Sequence, residues 1–92
     1  RMKIRILGTG SWGTALAQVA ADNGNDVIMW GINEAEVHDI EVNHHNSAFF
    51  DTPVSDKVHA SMDLAILKDA DILLVAVPTM AMEEVLKKAL TR

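Results

Sequence analysis

Gly8-Thr9-Gly10-Ser11-Trp12-Gly13 sets three glycines at the spacing G-x-G-x-x-G. The chemistry that this spacing allows is anion binding by backbone alone. A loop without Cβ atoms can bring its N–H groups against a diphosphate, and a helix opening behind the loop adds the positive end of its dipole. In that reading Gly8 permits the tight turn, Gly10 lets the backbone approach a pyrophosphate, and Gly13 lets the helix pack closely on the strand before it. Ala17 and Ala21 continue the small face begun by Gly13. Glycine patterns recur by chance, and the competing reading is a turn that holds no ligand. Context favours the ligand, because the motif follows a strand-like run and opens a helix-like one inside a βαβ unit.

A second determinant is expected at the end of the next strand. There an acid holds the ribose 2′-OH of NAD, whereas an arginine accommodates the 2′-phosphate of NADP. Gly31-Ile32-Asn33-Glu34 stands at that place, with neither residue in register. Asn33 can hydrogen-bond a hydroxyl, and it can equally cap a helix, with Glu36 at capping-box spacing. Phe49-Phe50 in a polar loop reads either as an anchor onto the core or as an aromatic wall near a cofactor. His44-His45 reads as a solvated pair, because adjacent helical side chains diverge and no carboxylate shares their face. His38 and His59 read as structural or exposed. Met82 reads as core packing, and Met80 is left undecided.

These residues need a scaffold, and the hydrophobic pattern supplies one. Residues 3–7, 26–30, 58–60 and 72–77 read as strands, the last as an unbroken apolar run suited to burial on both faces. Residues 12–23 read as a helix with Trp12, Leu16, Val19 and Ala20 on its inner face, closed by Gly24. A second helix starts at Asn33 and turns Val37 and Ile40 inward. Residues 43–57 read as a loop. A short helix over 64–67 is entered through Ser61 or Asp63, and a last helix begins at Thr79 beyond Pro78. Strands alternating with helices imply an α/β fold. The expectation is a Rossmann-type, doubly wound parallel sheet, truncated after about four strands.

Composition narrows the function classes. The chain has 92 residues, enough for one domain, and 49% are hydrophobic, which argues against disorder. A net charge of −5 with scattered basic residues disfavours a nucleic-acid partner. Without cysteine there is neither a disulfide framework nor a thiolate metal site, and no metal site is expected. The longest apolar run is far too short to span a membrane.

The glycine loop with its flank, Gly8-Thr9-Gly10-Ser11-Trp12-Gly13-Thr14-Ala15-Leu16-Ala17, resembles the opening of the bacterial-type NAD(P)-dependent glycerol-3-phosphate dehydrogenases, where a Trp inside the loop is distinctive. Asp22-Asn23-Gly24-Asn25-Asp26-Val27, Trp30 and Val75-Ala76-Val77-Pro78-Thr79 are similar too. The likeness weakens between residues 32 and 57. It implies cofactor contacts at Ser11, Trp12 and Phe49; with Gly8, Gly10 and Gly13 of the motif, Asn33 after the second strand and Pro78 after the last, these make up the candidate cofactor site. The family commonly carries Arg or His where this chain has Ile32 and Asn33, so either NAD or NADP is expected as cofactor. The resemblance further implies a cytoplasmic oxidoreductase that interconverts dihydroxyacetone phosphate and sn-glycerol 3-phosphate and feeds phospholipid synthesis, with a homodimer as its candidate assembly.

The family's catalytic lysines occur in contexts that this chain lacks. The expectation is therefore an inactive N-terminal part of the NAD(P)-binding domain, spanning 1–92, without a catalytic C-terminal domain. The strand over 72–77 should then show an unpaired edge open to self-association. The alternatives are a segment of a 6-phosphogluconate or ketopantoate reductase relative, and a non-catalytic module that senses cofactor.

Overall fold

The computed structural model describes residues 1–76. Four parallel strands, β1 (Lys3–Leu7), β2 (Asp26–Trp30), β3 (Val58–Ser61) and β4 (Ile72–Val75), form one sheet in the order β3-β2-β1-β4. Their registers place Leu7 beside Trp30 and Val75, and Trp30 beside Ser61. All four carboxyl ends therefore lie along one edge, where open α/β sheets gather ligand-binding loops.

Alternation along β1 assigns the two faces. Ile4 and Ile6 enter a core shared with Val27, Met29, Ala17 and Ala21. That core lies under α1 (Ser11–Asp22) and α2 (Glu34–His38). Leu7 points the other way and packs with Trp30 and Leu64, where a 3-10 turn over Leu64–Leu67, capped by Asp63, covers the opposite face. Helices on both faces make the sheet doubly wound, as the strand–helix alternation predicts.

Arg5 is the exception to the alternating apolar pattern. It is 3% exposed and lies between the strands and the 3-10 turn. Its guanidinium donates to the carbonyls of Ile66 (3.0 Å) and Asp26 (3.0 Å) and lies 3.5 Å from Asp69. A buried cation persists only when its donors are matched in this way.

Three expectations need correction. The inner face of α1 is Gly13, Thr14, Ala17, Ala20 and Ala21, whereas Trp12 and Val19 are 75% and 61% exposed. A Cβ on Gly13 would collide with the Gly8 carbonyl. The helix thus approaches β1 too closely for the large side chains to lie between them. The run at β4 is half-exposed, with Leu73 and Val75 at 43% and 41%. Among the described residues β4 pairs with β1 alone, so it stands at the edge of the described sheet. His44 is not freely solvated: it takes a left-handed backbone at φ 54 and encloses Nδ1. It ends a π-helical turn over Asp39–Asn43 that continues α2. The expected last helix lies outside the described residues.

Candidate cofactor site at the glycine loop

The loop from Gly8 to Gly13 leaves the end of β1 and becomes α1 without a break. Gly8 takes φ 127, a conformation that side chains rarely tolerate, while its N–H donates to the Trp30 carbonyl at 2.7 Å. The turn is thereby pinned to the end of β2. Gly10 caps α1 with φ −78 and ψ −163, and no side chain caps the helix. The first-turn N–H groups of a helix have no partner inside it. Here they remain available to an anion.

Gly10 and Gly13 are glycines for different reasons. Gly13 is required by the protein itself, since a Cβ there meets Gly8. At Gly10 the backbone lies in a region open to every residue, and an added Cβ would meet nothing within 4 Å. The fold therefore places no demand for glycine at position 10. Clear space at an uncapped helix start is what a diphosphate pressed against the backbone would require.

Beside this loop lies a cleft of about 560 Å³ lined by Gly10, Ser11, Trp12, Leu16, Phe49 and the end of β4. The exposed strip of α1 thus becomes one wall of the cleft. Phe49 comes from the loop after the π turn and supplies another wall, which favours its reading as an aromatic wall. Phe50 is half-buried and lines a separate cleft with Ala15 and Val19 of α1. The two rings therefore border different openings.

Asn33 accepts the Glu36 N–H at 3.2 Å and so caps α2. It lines a different and larger cleft of about 980 Å³ that runs along α2 to Ala60 and Met62. The structure thus gathers Gly10, Ser11, Trp12 and Phe49 around one opening, supports them with Gly8 and Gly13, and sets Asn33 apart. Pro78 lies outside the described residues.

Leu16, Thr9, Thr14 and Asn46 belong to the same region but were not singled out from the sequence. The helical spacing of Leu16 points to the core, whereas the structure sets it on the cleft. Thr9 and Thr14 are buried, and Thr14 donates to the Gly10 carbonyl at 2.8 Å. Asn46 gives no sequence signal, because asparagine in a polar loop is an ordinary turn residue. The carboxyl of Asp39 accepts the Ser47 N–H at 2.9 Å and sits below its usual range, chiefly through that bond and then through the Asn43 side chain. It thereby fastens the loop that carries Asn46 and Phe49. Among the described residues no helix is long and apolar enough to cross a membrane.

The family described as NAD-dependent glycerol-3-phosphate dehydrogenase N-terminus matches residues 3–91. A glycerol-3-phosphate dehydrogenase [NAD(P)+] of Mesoplasma florum is 48% identical over 87 residues, covering 92% of this chain and 26% of that protein. Its counterpart in Bacillus velezensis is 47% identical over 90 residues, covering 96% and 26%. The crystal structure of glycerol-3-phosphate dehydrogenase from Coxiella burnetii superposes with a TM-score of 0.87 at 33% identity, over 96% of this chain and 28% of that one. The chain spans about a quarter of the length of the curated relatives it matches.

Proposed function

Because the chain belongs to the family of NAD-dependent glycerol-3-phosphate dehydrogenase N-termini, we propose that its glycine loop holds the diphosphate of NAD(H) or NADP(H). In this reading it is the cofactor-binding part of an oxidoreductase that interconverts dihydroxyacetone phosphate and sn-glycerol 3-phosphate. The observation that carries the reading is Gly10, a glycine that the fold does not need, at the uncapped start of α1 and on the rim of the cleft.

The chain's own residues bind and orient. The N–H groups at Gly10 and Ser11 offer donors to the diphosphate, and the dipole of α1 adds to their pull. Trp12, Leu16 and Phe49 form apolar walls that keep water from one side of the bound molecule. Asn33, exposed at the start of α2, is a hydrogen-bond partner for ribose in addition to capping its helix. Pro78 keeps its place among the cofactor contacts on the strength of the family resemblance. When bound, the nicotinamide supplies the hydride. The described residues that line the cleft bind and shape rather than donate a proton, since none has a titratable side chain.

Titration of the 92-residue chain with NADH tests the binding assignment. Trp12 is 75% exposed beside the cleft, while Trp30 is 5% exposed in the core. Saturable quenching of the exposed component, with the buried component unchanged, is the expected result. A chain that binds neither NADH nor NADPH would remove the assignment. For the substrate, dihydroxyacetone phosphate should consume NADH in a protein of the relatives' full length, and absence of turnover there would remove it.

A further inference from the structure

Asn46 is wholly buried, and the binding scheme above does not use it. Its Nδ2 donates to the Thr9 carbonyl at 2.8 Å and to the Thr14 hydroxyl at 2.8 Å. The carbonyl can only accept, so the orientation of the amide is dictated by its neighbour. Its Oδ1 is buried without a partner among the described residues. A buried amide left half-satisfied is a poor choice for stability alone, which directs attention to what its two donors arrange.

The Thr14 hydroxyl passes the restraint on by donating to the Gly10 carbonyl, which also receives the Thr14 N–H at 3.0 Å. The carbonyls of Thr9 and Gly10 are thus both held on the Asn46–Thr14 side. Every peptide bond described is trans, and in a planar trans unit the N–H points opposite to the C=O. Holding the Thr9 carbonyl aims the Gly10 N–H away from Asn46. Holding the Gly10 carbonyl does the same for the Ser11 N–H. Both residues border the cleft. The backbone of Asn46 acts on the opposite wall, since its carbonyl accepts the N–H groups of Phe49 and Phe50 at 3.0 Å each.

We propose that Asn46 is a positioning residue, which orients the Gly10 and Ser11 N–H groups toward a bound diphosphate through Thr9 and Thr14 without touching the ligand. The proposal rests on the reading that the glycine loop holds a dinucleotide.

The test uses the 92-residue chain, ADP-ribose as the diphosphate probe, and three variants: Asn46→Ala, Thr14→Val and Thr14→Ser. Thr14→Val keeps the shape of the side chain and removes the hydroxyl relay, whereas Thr14→Ser restores it. Affinity is measured well below each variant's melting temperature, together with the amide chemical shifts of Gly10 and Ser11. Asn46→Ala and Thr14→Val should bind at least tenfold more weakly, with both amide shifts displaced before ligand is added. Thr14→Ser should stay within about threefold of the parent. Should Asn46→Ala not fold, Thr14→Val against Thr14→Ser decides alone. Folded variants that lower the melting temperature yet bind ADP-ribose like the parent would overturn the positioning role and leave the cofactor assignment intact. A parent chain that binds no ADP-ribose, with Gly10 and Ser11 unshifted on its addition, would remove both.

Discussion

The Thr9 hydroxyl donates to the Glu36 carboxylate at 2.9 Å, tying the glycine loop to the first turn of α2. The other oxygen of that carboxylate lies 3.4 Å from the Asn33 amide. In a reciprocal capping box Glu36 would return to the backbone N–H of Asn33; here it reaches across to the loop instead. A negative charge therefore stands between the glycine loop and the residues after β2, where the proposed cofactor would place its ribose 2′ substituent.

This arrangement bears on cofactor choice. No Lys or Arg occurs between Arg5 and Lys57, and Arg5 is enclosed by its own partners. A 2′-phosphate there would meet Glu36, with no Lys or Arg from residues 6–56 to offset it. NADH should bind at least as tightly as NADPH. Ile32 is 67% exposed at the start of this turn, so Ile32→Arg should favour NADPH by roughly tenfold, about 1.4 kcal/mol, through a charge-assisted bond. Paired titrations with the two cofactors measure the ratio. A parent chain preferring NADPH would show that a cation reaches the site from elsewhere.

The second and third glycines of the motif should separate binding from folding. Gly10→Val adds a side chain into open space at a permissive backbone position. It should leave the urea midpoint nearly unchanged and abolish measurable NADH binding. Gly13→Ala forces a methyl group against the Gly8 carbonyl and should destabilise the fold by about 1–3 kcal/mol, as overpacking does. Urea denaturation and NADH titration of both variants check the contrast. Equal loss of stability in the two would mean that Gly10 serves the fold after all.

The same contrast shows what could be read from the chain before its structure. The strands and the glycine loop were legible, because Ile4–Leu7, Val27–Trp30 and the Gly8 turn carry local signals that tertiary packing reinforces. The inner face of α1 was misread, since two stripes recur there at helical spacing. Trp12, Leu16 and Val19 form one, and Gly13, Ala17 and Ala21 the other. Size alone favours the first, but distance decides for the second, because a helix resting on the Gly8 carbonyl accepts only small residues. The role of Asn46 was hidden for another reason. Its partners Thr9 and Thr14 are more than 30 residues away in the chain, and no local pattern records such a contact.

Arg5 offers a test of the buried polar network. Arg5→Met keeps the length and apolar stem of the side chain but removes its donors. Asp69 is 55% exposed at its side chain and can return to water, whereas the Asp26 carboxylate, 3.6 Å from the guanidinium, is 26% exposed and keeps only partial access to it. The Ile66 and Asp26 carbonyls lose the guanidinium as a partner. The expected cost is about 1–3 kcal/mol, that of leaving buried acceptors unsatisfied, with the fold retained. Chemical denaturation of the two proteins measures it. A variant as stable as the parent would indicate that water replaces the guanidinium at both carbonyls.

Asp39 makes the hold on the loop sensitive to acid. Its carboxylate accepts the Ser47 N–H and the Asn43 side-chain amide, and these bonds keep its pKa below the ordinary aspartate value of about 3.9. A carboxyl with a depressed pKa in the folded state contributes stability that is fully present above its unfolded pKa. That contribution fades as pH falls through the folded pKa, because protonation then favours neither state. Asp39→Ala removes it at every pH. The stability gap between parent and variant should therefore be constant above about pH 5, narrow as pH drops below about 3.9, and become independent of pH once Asp39 is protonated in both states. Urea midpoints taken across this range, with the variant as the reference for all other titrating groups, isolate the effect. The amide of Ser47 should exchange faster in the variant at neutral pH, because its acceptor is gone. A gap that stays constant through the acid range would mean that Asp39 holds the loop without its charge.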